Sequence, residues 1–144
     1  MQLDDARNFI RDHSRALLAT LRADGTPQMS PVLIGLDSEG NAVVSSRETA
    51  IKVHNLRRNP RAWACVLSEG FYGPWIQVEG NAQILSLPEA MEPLVAYYRA
   101  VAGEHPDWDD YRAAMVRQGK CIIRLTVDSW GPIATGGFPP RLAQ

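Results

Sequence analysis

Between residues 75 and 85 the side chains alternate: Ile76, Val78, Ala82 and Ile84 fall on one face, Gln77, Glu79, Asn81 and Gln83 on the other. A period of two belongs to a strand with one buried and one polar face, and it does not fit a helix over the same stretch. Residues 120–127 repeat the pattern with Cys121, Ile123, Leu125 and Val127. Strands of this kind are the units of an antiparallel sheet, and the rest of the chain is expected to supply their partners.

Four further segments read as strands. Residues 16–21 are apolar, Asp24-Gly25 is a dipeptide suited to a tight hairpin, and residues 27–36 resume an extended pattern. A second Gly-containing turn at 37–41 leads to a strand at 42–46, so the first third predicts a three-stranded meander. Residues 62–67 supply the remaining strand. Leu3, Ala6, Phe9 and Ile10 sit at helical spacing behind Asp4 and Asp5, which predicts a helix over 3–13. A short helix is expected over 49–59, ended by Asn59-Pro60. Ser86 and Glu89 read as a capping box for a helix carrying Leu94, Val95, Tyr98 and Val101, with Pro93 delaying or kinking its start. A further helix is expected over 107–117, and the Gly/Pro-rich tail 129–144 reads as irregular. The expected architecture is one domain over 1–144, mainly β: a six-stranded antiparallel barrel with short peripheral helices. No GxGxxG, GxxxxGK[ST] or GxSxG pattern is present, so dinucleotide, P-loop and serine hydrolase readings lack their minimum geometry.

Composition narrows the function classes. The chain of 144 residues carries 15 basic and 16 acidic side chains for a net charge of −1, which argues against a surface built throughout for nucleic acid or anionic lipid. The start has no cationic region followed by an apolar run, and no stretch reaches the roughly 18 apolar residues of a membrane span, so a cytoplasmic protein is expected. Cys65 and Cys121 sit in apolar runs without a CxxC partner and read as core residues. His13, His54 and His105 share no ligand spacing, and no metal site is expected.

Charge is nevertheless uneven. Arg47, Lys52, Arg57, Arg58 and Arg61 cluster against a single acid, Glu48, and Ser45, Ser46 and Thr49 add hydroxyls where a strand runs into a helix. Cations, hydroxyls and helix N–H groups suit a phosphate; a solvated arginine-rich face and a nucleic-acid contact are the alternatives. Gln28, Met29, Ser30, Pro31 and Val32 form a second candidate, because proline removes a ladder donor and frees the neighbouring backbone for a ligand or an edge. The third is the aromatic segment Phe71, Tyr72 and Trp75 with Gly70 and Gly73, suited to a flat ligand, a subunit interface or core packing. The acidic run from Glu104 to Asp110 reads as helix capping by Asp107 rather than as a catalytic or metal site.

The runs LLATLRADGTPQMSPVLIGL, KVHNLRRNPR (52–61), VEGNAQI (78–84) and AGEHPDWDDYR (102–112) resemble the split-barrel flavin/deazaflavin family that includes pyridoxamine 5′-phosphate oxidase-like proteins. The second and fourth are most similar to its coenzyme F420-dependent oxidoreductase branch. The resemblance covers about residues 14–128. It implies a homodimer of six-stranded split barrels with cofactor grooves between the subunits. The implied activity is hydride transfer between F420 and a small conjugated molecule; an FMN-dependent oxidoreductase and a non-catalytic deazaflavin or tetrapyrrole carrier are the alternatives. Carried over by position, Ser45, Ser46, Lys52 and Asn55 would hold the cofactor phosphate region, and Gln28, Ser30, Pro31 and Val32 would lie along the ring. Arg47 is carried over from a neighbouring position, since relatives often place an arginine near residue 50, where this chain has Ala50. Trp75 and Gln77 would contribute across the interface. The absence of an acid, base or nucleophile constellation accords with a cofactor that carries the hydride chemistry.

Overall fold

The computed structural model describes residues 1–131 and 133–135. In chain order the elements are α1 (Leu3–Asp12), β1 (Arg15–Leu21), β2 (Pro27–Leu33), β3 (Gly35–Leu36), β4 (Ala42–Arg47), α2 (Ile51–Arg58), β5 (Arg61–Leu67), β6 (Pro74–Leu85), α3 (Met91–Ala102), α4 (Trp108–Arg117), β7 (Lys120–Trp130) and β8 (Ala134–Thr135). Strand pairing is antiparallel throughout.

The hairpin between β1 and β2 forms where Asp24-Gly25 predicted it. Gly25 takes φ 85°, and the Asp24 carboxylate accepts from the Thr26 N–H and hydroxyl. Beyond it the predicted meander fails. The hydrogen-bonded order is β2-β1-β5-β6-β7-β4-β3, so β2 and β3 stand at opposite ends of the path although Ile34 alone separates them in sequence. A single residue cannot bridge a flat sheet, so the sheet curls until its two edges meet at Ile34, which is buried. Seven strands lie on this path rather than the expected six, because the run 27–36 breaks in two; the short β8 pairs with β6 off the path. The last long strand continues through Trp130, so regular structure enters the tail expected to be irregular; residues 132 and 136–144 lie outside the described residues.

Alternation along β1, β5 and β6 delivers Ala16, Leu18, Ala64, Val66, Ile76 and Val78 to the inside of the curl, where Ile123 and Leu125 of β7 join them. Phe9 and Ile10 of α1 and Val53 and Leu56 of α2 complete this cluster. Gly80 lies at a register shift against β7, and a Cβ there would collide with the Thr126 carbonyl, so close strand approach demands glycine. The strands β4 and β7 are buried on both faces: Val43 and Ile122 point away from the interior into a second cluster with Leu94 and Val95 of α3 and Tyr111 and Met115 of α4.

The helices start close to expectation with one exception. Asp107 caps α4, its carboxylate accepting from the Asp110 N–H at 3.1 Å. The Ser86 capping box does not form: α3 begins at Met91, and the Ser86 hydroxyl donates to Glu48 at 2.6 Å instead. Pro93 occupies the first turn of α3, where its missing N–H costs no helical bond. Among the described residues no helix is long and apolar enough to cross a membrane.

Candidate cofactor site

The β-pleat sorts the sequence-predicted residues before any contact is considered. On β2, Gln28, Ser30 and Val32 face inward opposite Thr20, Leu18 and Ala16, whereas Met29, Pro31 and Leu33 face outward. On β4, Ser46 shares the inward face with Ala42 and Val44, while Ser45 shares the opposite face with Val43. On β6, Trp75 and Gln77 lie on the outer face, opposite Leu67 and Cys65.

Two of the inward hydroxyls find no protein partner. The Ser30 oxygen is buried without a hydrogen bond, and Ser46 is 6% exposed with no side-chain bond among the described residues. A buried hydroxyl without a partner carries a desolvation cost of about 1–3 kcal/mol that an incoming acceptor removes. Ser46 stands across the ladder from Cys121, and Lys52 acts electrostatically on the same thiol, so Ser46 and Lys52 converge at the start of α2. Lys52 makes no hydrogen bond or ion pair among the described residues, and burial pulls its pKa below the ordinary lysine value. Burial pushes the Cys121 thiol up to about 11, so it is a neutral core group at physiological pH, as its apolar run suggested.

Asn55, expected to hold the cofactor phosphate region, is engaged within the protein. It is buried, its carbonyl accepts from Arg58 at 2.7 Å, and its amide donates to the Thr20 hydroxyl at 3.1 Å. Thr20 in turn donates to the Gln28 carbonyl at 3.4 Å. The relay Arg58–Asn55–Thr20–Gln28 ties α2 to β1 and β2 and fixes the inward face of β2. Thr20 was not singled out from the sequence; the available signal was a lone polar residue at inward parity in the apolar run 16–21.

The cationic cluster is less free than its composition implied. Arg57 pairs with Glu48, whose pKa is lowered chiefly by the Ser86 hydroxyl and then by Arg57. Arg58 is bound to Asn55, and Arg61 forks onto Asp128 at 2.6 and 2.8 Å and reaches Glu79 at 2.9 Å. Of the five cations, Arg47, Lys52 and Arg58 keep no acidic partner among the described residues, and of these only Arg58 has a side-chain hydrogen bond, to Asn55.

The outer face of β2, β1 and β5 is mostly apolar and has no cover among the described residues. Leu33, Arg15 and Leu67 form one cross-strand row, Pro31, Leu17 and Cys65 the next, and Met29, Ala19 and Trp63 a third. Met29 is 59% exposed, Leu33 45% and Leu67 39%, so three large apolar side chains of one sheet face stand in solvent. A groove of about 430 Å³ runs between Leu17, Pro31, Val32, Leu33 and Leu67, and a second cavity of about 350 Å³ lies farther along between Trp75, Gln77 and Trp130. Both are within the range of small-molecule sites. Phe71, 91% exposed at the β5–β6 hairpin, stacks edge-to-face on Tyr72 and does not pack in the core.

A curled antiparallel barrel whose two edges meet at Ile34 is the architecture of a split-barrel protein. The family model described as pyridoxamine 5′-phosphate oxidase matches residues 3–133, and the chain belongs to that family. Solved structures share the fold. A conserved hypothetical protein of Mycobacterium tuberculosis superposes with a TM-score of 0.74 at 20% identity, covering 95% of this chain and 93% of that one. An F420 reductase gives 0.66 at 20%, covering 87% and 94%, and the heme storage protein HutZ from Vibrio cholerae 0.70 at 17%, covering 94% and 98%.

Proposed function

We propose that the protein is an F420-dependent oxidoreductase acting on a small, electron-poor conjugated molecule. The observation that carries this reading is the pair of donors at the β4–α2 corner that no described side chain engages: the Ser46 hydroxyl and the half-buried Lys52. Such a set fits the phosphate of a flavin or deazaflavin. The deazaflavin is favoured over FMN because its phosphodiester and glutamate tail bring several negative charges, and Arg47 adds a second unpaired cation beside Lys52. When bound, reduced F420 supplies the hydride donor.

Each residue then has a physical task. Lys52 and Ser46 anchor the anionic end, while the edge strand β2 runs along the ring over Gln28, Ser30, Pro31 and Val32, with Gln28 held in place by Thr20. Pro31, Val32 and Leu33 line an apolar groove that excludes water from the reacting face. The protein works as a homodimer in which the open faces of β2, β1 and β5 pack together, closing the groove and bringing Trp75 and Gln77 toward the partner's cofactor. Burying a contiguous apolar sheet face is the contribution that such an association needs. A reducing cytoplasm suits its two free thiols.

The test combines binding and turnover. Lys52→Ala is expected to weaken F420 binding several-fold, followed by the fluorescence of the four tryptophans, with an unchanged circular dichroism spectrum. Unchanged affinity would remove the phosphate assignment. Oxidation of reduced F420 by at least one member of a panel of enones and quinones is expected; binding without turnover across the panel would support a carrier instead.

A further inference from the structure

We propose that Lys120, which lies across from Arg47 in the β4–β7 ladder, completes with Arg47 and Lys52 a three-cation cradle for a small ligand carrying more than one anionic group. The identity of that ligand rests on the F420 reading above; the cradle itself rests on charge and register.

Lys120 is the first residue of β7, and its neighbour Gly119 accepts from the Glu48 N–H at 2.9 Å, so the strand end is fixed against the corner where β4 runs toward α2. Two cations directly opposite in an antiparallel ladder repel one another, and the usual remedy is an acid at a diagonal position. None is present among the described residues. Glu48, next in sequence to Arg47, is turned onto Ser86 and Arg57. Lys120 makes no hydrogen bond or ion pair, and its pKa is pulled down by burial first and then by Arg47, with Lys52 adding to the repulsion. The remaining cations of the cluster, Arg57, Arg58 and Arg61, are all engaged elsewhere. The directly opposed pair Arg47 and Lys120, with Lys52 adding to the repulsion on Lys120, raises the free energy of the unliganded corner, and a multivalent anion relieves that cost on binding. One phosphate leaves part of the charge unanswered, whereas a phosphodiester followed by carboxylates matches three cations. Lys120 is thus a residue that selects the charge of the ligand's tail.

The experiment compares the full chain with Lys120→Gln and Lys120→Arg, using F420, FMN, inorganic tripolyphosphate and a single-stranded oligonucleotide as probes in thermal-shift and fluorescence titrations. Lys120→Gln is expected to weaken F420 and tripolyphosphate by about tenfold, to weaken FMN less, and to leave the unliganded melting temperature unchanged or higher. Lys120→Arg is expected to retain wild-type affinity. Equal F420 affinity in wild type and Lys120→Gln overturns the proposal, as does a lower unliganded melting temperature with the same loss of affinity in both variants. If tripolyphosphate binds in a Lys120-dependent way but neither F420 nor FMN binds, the cradle stands and the cofactor reading falls. Lys120-dependent affinity for an oligonucleotide above that for F420 would overturn the small-ligand assignment, and no binding of any polyanion would overturn both.

Discussion

The outer faces of β4 and β7 are roofed by α3 and α4, whereas the outer faces of β1, β2 and β5 carry comparable apolar side chains with no roof among the described residues. Under the helices every large group is accounted for: Leu94 is fully buried, the Tyr111 hydroxyl donates to the Leu94 carbonyl at 2.9 Å, and Tyr97 reaches across to the Leu33 carbonyl at 2.7 Å. On the open side Met29, Leu33 and Leu67 end in solvent. Among the described residues, one curled sheet therefore has a face covered by its own helices and a face left open. The cationic corner shows the same contrast at smaller scale, with Arg57, Arg58 and Arg61 paired internally and Arg47, Lys52 and Lys120 left over.

Substitutions on the two faces are expected to separate stability from assembly. Leu94→Ala, under the helical roof, leaves a cavity between two packed layers and is expected to cost about 2–5 kcal/mol in urea unfolding; a cost below 1 kcal/mol would mean that the roof is loosely packed. Alkaline pH probes the interior. The Cys121 thiol is held up to about 11 in the folded chain against an ordinary value of 9.0, so its contribution is fully present below pH 9 and is lost as pH rises through the folded value. That amounts to about 2 kcal/mol by about pH 10.5, and Cys121→Ala should flatten the slope of unfolding free energy against pH in this window. The smallest effect on monomer stability is expected on the open face. Met29→Lys should change unfolding free energy by roughly 0.5 kcal/mol or less while converting the proposed homodimer to monomer in sedimentation velocity. A variant that stays dimeric would move the interface away from β2.

Local patterning made much of this legible. The alternation in β6 and β7, the Asp24-Gly25 turn and the Asp107 cap depend on near neighbours in sequence, and all three appear in the fold. The break at Ile34 was not legible, because residues on both sides of it are equally extended; sheet curvature, a property of all the strands together, sends β3 to the opposite edge. Ser86 misled for the opposite reason: its capping pattern is local, but Glu48, distant in sequence, captured its hydroxyl. At the candidate site the inward positions of Gln28, Ser30 and Ser46 follow from strand parity. The pairing of Arg61 with Asp128 and the arrival of Lys120 beside Arg47 depend on ladder register, which composition does not carry.

The central claim is that the unpaired donors at the β4–α2 corner hold the anionic end of F420. The most direct measurement is a parallel fluorescence titration of the wild-type protein with F420, FMN and heme. Saturable binding of F420 in the micromolar range or tighter, with FMN weaker, is the expected result. Micromolar binding of FMN or heme with none of F420 would contradict it.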